Sequence, residues 1–294
     1  MKVGYLKTTA ILLLFTSTYA IAGQSVDERW GLDPNGSVWI ENIAGKIEIQ
    51  GWDRNEAHLT GELGNSVDEL DISASGSNLR IVVMNRNERN VDSTELKLKV
   101  PLGVSIDASA VSADIKISGL ENEKLTASSV SGNVRVNASS GRVSIESVSG
   151  DVEFSGQTTR ITAESVSGDI ELSGVSGEVS ATTVSGDVEM KTGMLDSGKL
   201  ETVSGDMTVI TEISGNGRLS AESMSGDATI ILPASQAGVF KAQSFSGRIN
   251  SDFGSVNHAK HGPGSHLKYV AGNGDAEVRV ESFSGNIKLK HDSL

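Results

Sequence analysis

Six aspartates, Asp114, Asp151, Asp169, Asp187, Asp206 and Asp227, recur at nearly constant spacing, with Asn133 filling the one gap. Stacked in register at about 4.8 Å, neighbouring carboxylates would repel by about 0.9 kcal/mol per pair in water, which bound Ca²⁺ would relieve. Asp151, Asp169, Asp187, Asp206 and Asp227 are therefore the candidate metal ligands, and Ca²⁺ the candidate ion. Against this chemistry, the same position holds Asn133, Arg248 and Asn286, and the glycine-rich nonapeptide of calcium-binding β-rolls is missing. An Asp after Gly at a corner also serves as a turn residue whose side chain caps nearby N–H groups.

Two other groups could do chemistry. His258, His261 and His266 offer three imidazoles, but Gly262, Pro263 and Gly264 lie among them, and no helix is predicted to hold a pair on one face. A solvated insertion is the expectation there. The serines of the repeated phrases could suggest a nucleophile. No His or acid follows them at a constant offset, and a residue repeated eight times is structural before it is catalytic. Their hydroxyls are expected to pair with each other or with corner amides.

These residues are positioned by a repeat. The phrase Ser/Thr-apolar-Ser-Gly-Asp/Asn/Arg occurs around Val130, Val148, Val166, Val184, Val203, Met224, Phe245 and Phe283, with a degenerate copy at Ala110–Asp114. From second Ser to second Ser the steps are 19, 18, 18, 18, 19, 21, 21 and 38 residues, the last a double interval. Between phrases apolar residues alternate with period two, as Val143 and Ile145 before one phrase and Val152 and Phe154 after it. This predicts two short strands per repeat, with a bend at the glycine where the parity changes.

The expected fold is all-β, a parallel β-helix-like solenoid of about 18–21-residue coils whose equivalent side chains stack in ladders. One expected buried ladder runs Val130, Val148, Val166, Val184, Val203, Met224, Phe245, Phe283. A second runs Val134, Val152, Ile170, Val188, Met207, Ala228, Ile249, Ile287. The expected organisation is a signal peptide over 1–22, an N-terminal β cap over 23–105 holding Trp30, Trp39 and Trp52, and repeats over 106–294 with a loop insertion at 251–266. Within the cap, strands are expected on either side of Gly45 and near 57–63, 69–74, 78–84 and 94–100.

Composition narrows the function. The 294-residue chain has no Cys, which excludes disulfide scaffolds, thiol catalysis and Cys-based zinc sites. Three Trp, three Tyr and six Phe against 33 Gly predict a core of small and β-branched side chains. A formal net charge of −13 repels nucleic acid and anionic lipid. Lys2 and Lys7, an apolar run from Ala10 to Phe15 and Ala20-Ile21-Ala22 before Gly23 form an export signal, too short to span a bilayer. The protein is thus expected in the periplasm or at the cell surface, without integral membrane spans.

The opening Gly36-Ser37-Val38-Trp39-Ile40-Glu41-Asn42 through Gly45-Lys46-Ile47-Glu48-Ile49-Gln50-Gly51-Trp52, the step Val100-Pro101-Leu102-Gly103 and the iterated Val-Ser-Gly-Asp-Val coils resemble a bacterial β-strand repeat family of unknown function, described as "putative adhesin". The resemblance implies a β-solenoid of the cell envelope and brings no catalytic residues. The function expected is a non-catalytic structural or adhesion module, with an envelope protein or glycan as partner. The alternatives are a polysaccharide-active enzyme on a β-helix and a calcium-stabilised surface repeat protein. An enzyme would need a local cluster that breaks the repeat, either paired carboxylates or Lys and Arg beside acids, in a groove made by long loops.

Overall fold

A computed structural model of the chain describes residues 25–86, 91–258 and 264–292, and every regular element among them is a β-strand. The segment 1–22 read as an export signal and His261 of the loop lie outside the described residues. Six strands open the fold: β1 (Ser25–Gly31), β2 (Ser37–Trp52), β3 (Glu56–Glu62), β4 (Val67–Ser75), β5 (Asn78–Asn85) and β6 (Thr94–Pro101). Six long ones follow: β7 (Ser105–Ser129), β8 (Val134–Ser147), β9 (Val152–Glu164), β10 (Ile170–Thr183), β11 (Val188–Ser204) and β12 (Met207–Ser225). Seven shorter ones end it: β13 (Ala228–Leu232), β14 (Gly238–Ser244), β15 (Ile249–Ser251), β16 (Asn257–His258), β17 (Ser265–Ala271), β18 (Glu277–Ser284) and β19 (Ile287–His291). All nineteen are joined in one hydrogen-bonded sheet.

The repeat period is the pairing register. β7 to β12 pair in parallel, each with the next, so that Ile115, Val134, Val152, Ile170, Val188 and Met207 stand side by side. Strands 18 to 21 residues apart in sequence are thus neighbours in space, and the alternation of apolar and polar residues puts the same face inward in each. The second expected ladder, Val134 to Ile287, is buried throughout. A parallel ladder of Val152, Phe154 and their equivalents Ile170 and Leu172 gains about 1.5–3 kcal/mol per fully buried side chain, which one isolated repeat has no partner to realise.

The order of the last repeats differs from the order of the chain. β12 pairs through its C-terminal half with β18, and β18 pairs with β14 on its other side. Likewise β19 lies between β13 and β15. The final repeat is therefore inserted between the two that precede it, and Phe283 stands before Phe245. Between them the chain runs back as β17, antiparallel on the outer edge of β14, with β16 beside it. The segment 251–258 and 264–266, read as a loop, thus contributes to β15, β16 and β17.

The same device opens the molecule. β2 pairs with β7 on one edge and with β5 and then β6 on the other. Antiparallel β4 lies on β5, and β3 and β1 continue outward from β6. Strands occur where alternation over 57–63, 69–74, 78–84 and 94–100 predicts them. β2 differs from expectation in being one element through Gly45, which adopts φ 111°. There the Asn42 amide donates to the Ala44 and Thr94 carbonyls, holding the corner.

Candidate functional site

The repeated phrase makes one corner, built alike in each copy. In Ser165-Val166-Ser167-Gly168-Asp169 the first serine is buried. Its Oγ accepts the Gly168 N–H at 2.9 Å and donates to the Gly150 carbonyl of the preceding repeat at 3.5 Å. Ser147 likewise accepts the Gly150 N–H and donates to the Gly132 carbonyl, and Ser129 accepts the Gly132 N–H and donates to the Ala113 carbonyl. The hydroxyls therefore pair with corner amides, as the sequence suggests. The glycine is required by close approach: a Cβ on Gly168 would sit 2.1 Å from the Gly150 carbonyl oxygen. Gly132, Gly150, Gly168 and Gly186 are not among the positive-φ glycines, so steric room, and not conformational freedom, selects them.

That corner turns the apolar residue of the phrase outward. Val111, Val130, Val148, Val166, Val184, Val203, Met224, Phe283 and Phe245, in their spatial order, are each 42% to 60% exposed. The first ladder, expected in the core, is thus an external ridge. The reason is the closure of the corner: the hydroxyl-bearing residue before each ridge residue and the glycine two places after it both face the preceding repeat, which leaves the ridge residue only the solvent side. Phe245 and Phe283 stack at 4.8 Å between centroids with 8° between planes. Beyond Val111, the corner residues Ile43 and Met84 of β2 and β5 line one shared recess with it.

Acidic side chains border the ridge on both sides. Three residues after each ridge residue stands the aspartate column. Each Asp Oδ1 accepts the backbone N–H of the equivalent residue one repeat on: Asp151 from Asp169, Asp169 from Asp187, Asp187 from Asp206 and Asp206 from Asp227, at 2.7–3.2 Å. The series continues through Asp227 to Asn286 and from Asn286 to Arg248, again in spatial order. Asn133 takes part as Asp does, which explains why either residue serves. Among the described residues no group of three or more His, Asp or Glu is arranged to hold a metal ion.

Two residues before each ridge residue stands a second column that sequence reading did not single out: Glu146, Glu164, Glu201, Glu222 and Glu281, with Ser109, Ser128, Thr182 and Gln243 at the remaining places. The signal was present, since Glu recurs at the repeat step. Lys199 pairs with Glu201 and Arg279 with Glu281, both at 2.9 Å. Among the described residues no cation pairs with Glu146, Glu164 or the aspartates of the column. At the C-terminal end of the ridge the larger side chains Met224, Phe283 and Phe245 and the Glu222 and Glu281 carboxylates line a shallow groove of about 730 Å³.

A second groove, of about 900 Å³, crosses another face over Lys124, Arg142, Arg160 and Glu178. It is an ion-pair surface. The Arg160 guanidinium, 2.6 Å from Glu178, holds that carboxyl below its ordinary value. Of the loop histidines, His258 belongs to β16, and His266 is exposed on β17, opposite Asn257.

The model of the Toastrack DUF4097 family matches residues 37–217 and 210–290. No curated protein matches the chain. Among solved structures, a "putative adhesin" from Bacteroides fragilis is 11% identical, covering 90% of this chain and 96% of that one at a TM-score of 0.44. One from Parabacteroides merdae is 12% identical, covering 92% and 98% at 0.44. A "putative lipid binding protein" from Parabacteroides distasonis is 14% identical, covering 92% and 99% at 0.41. Likenesses this distant carry no functional argument. The two overlapping family matches span nearly all of the described chain, and the protein belongs to the Toastrack DUF4097 family.

Proposed function

We propose that this chain is a non-catalytic, exported β-solenoid of 18–21-residue coils, capped by residues 23–105, that acts in the cell envelope as a binding or adhesion module through its apolar ridge. The observation that carries the reading is the ridge itself. Nine apolar side chains stand in unbroken succession, each more than two-fifths exposed, and a contiguous exposed apolar row rimmed by polar residues is the mark of an interaction site. Repetition suits such a surface to many small contacts added along one line. Export is supported by the Lys2, Lys7 and Ala20-Ile21-Ala22 pattern. No helix among the described residues is long and apolar enough to cross a membrane.

The competing reading, a polysaccharide-active enzyme, calls for a carboxylic acid held protonated near neutral pH. Among the described residues the Glu178, Asp252 and Glu277 carboxyls are displaced downward, away from that state, each by hydrogen bonds from a neighbouring cation or amide. Fractionation of the native host tests the proposal. The wild-type chain should be recovered outside the cytoplasm and bound to envelope material. A Val148→Ser, Val166→Ser, Val184→Ser variant should be exported, stay folded and lose that retention. Recovery of wild type in the cytoplasm, or undiminished retention of the variant, would overturn it.

A further inference from the structure

The ridge has a period, a polarity and a charge, and together they select a partner. Its apolar residues recur once per repeat, at the strand spacing of about 4.8 Å. An α-helix laid along the stack presents an apolar row once per turn of about 5.4 Å, so the two rows drift by only about 3 Å over five turns. An extended strand laid the same way presents like-facing side chains every 6.8 Å or so and falls out of step by about 2 Å at each residue pair.

Charge narrows the choice further. Both borders of the central ridge are acidic, Glu146 and Glu164 on one side and Asp151, Asp169 and Asp187 on the other, none of them ion-paired among the described residues. A second copy of this chain laid ridge to ridge would bring acid against acid, and an anionic lipid surface would meet the same repulsion. An apolar row bordered by Lys and Arg would instead bury its centre on the valines while its cations reach both columns.

We infer that the ridge is the seat of a cationic amphipathic α-helix of a partner protein, lying parallel to the stack, with its bulkier apolar residues toward Met224, Phe283 and Phe245. The inference rests on the binding-module reading and names its partner class. The groove at that end gives room for large side chains, and Met224, the most exposed member at 60%, is the most adaptable.

Three synthetic peptides of equal length test it by calorimetric titration of the purified chain: Leu and Lys in a helical period, the same residues strictly alternating, and Leu and Glu in a helical period. The helical cationic peptide should bind at least about tenfold more tightly than either other, and its affinity should fall as salt is raised. Val148→Ser with Val166→Ser and Val184→Ser should weaken it at least about tenfold, and so should Glu146→Gln with Glu164→Gln, a change that leaves the apolar packing intact. Equal binding of the alternating peptide would reduce the effect to charge alone, and unchanged binding by both sets of variants would place it elsewhere; either overturns the inference. If envelope retention depends on the ridge while the helical peptide has no preference, the partner class fails and the binding module stands. If retention too is independent of the ridge, both fail.

Discussion

Val166 and Ile170 stand four residues apart in the same repeat, and each belongs to a column of equivalent apolar residues running the length of the stack. Ile170 is fully buried and Val166 is 45% exposed. In sequence the two columns are equally regular and equally apolar. What separates them is the corner between, where Ser165 and Gly168 both turn to the Gly150 carbonyl. A repeated apolar position thus marks a structural equivalence but not a side. Burial is decided by which backbone groups the corner must satisfy.

The largest expected difference between the columns is in stability. Ile170→Ala should cost about 2–5 kcal/mol by loss of buried contacts and the cavity left behind, whereas Val166→Ala should stay within about 1 kcal/mol. Urea unfolding of the two variants measures this directly. Equal losses would mean that the ridge is a working part of the core.

The corner itself is the next target. Gly168→Ala places a methyl against the Gly150 carbonyl and should cost about 1–3 kcal/mol through forced backbone displacement, while Gly31→Ala on β1, with open space around it, should be near neutral. A harmless Gly168→Ala would show that the close approach is not what fixes the outward turn.

The aspartate column sharpens the comparison from its outer side. Asp169→Ala removes the acceptor for the Asp187 N–H and should cost about 0.5–1.5 kcal/mol, whereas Asp169→Asn keeps an acceptor oxygen and should cost little. With one oxygen of each carboxylate already engaged, millimolar Ca²⁺ and then chelator are expected to leave the melting temperature nearly unchanged. A rise of about ten degrees would instead make Asp151 through Asp227 a cation strip.

The smallest effect belongs to the exposed ion pairs. Lys241 and Arg218 hold the Glu277 carboxyl below its ordinary value, and Arg160 does so for Glu178. A carboxyl depressed in the folded state contributes stability above its unfolded value and loses it as pH falls through the lower folded one. Glu277→Gln should therefore melt slightly below wild type at pH 7, and the gap should close below about pH 4. A gap that persists in acid would point to packing instead of charge.

Much of this was legible in the residues. The repeat step gave the pairing register, because in-register parallel stacking places sequence equivalents side by side. Period-two alternation located β3 to β6 and the inner ladder of Val134, Val152 and Ile170. The Asp column was legible as a line of corner residues capping N–H groups, but not as a series in which each caps the following repeat.

The strand pattern and the repeat follow from local periodicity and are set by the residues along the chain. Two features belong to the tertiary structure alone: the outward side of the Val166 column and the insertion of the Phe283 repeat between those of Met224 and Phe245. Alternation fixes faces only within a strand. Across a corner the side is set by hydrogen bonds to the repeat before, and the order of repeats by which strand edge each segment pairs with, and neither is encoded in the spacing of residues along the chain.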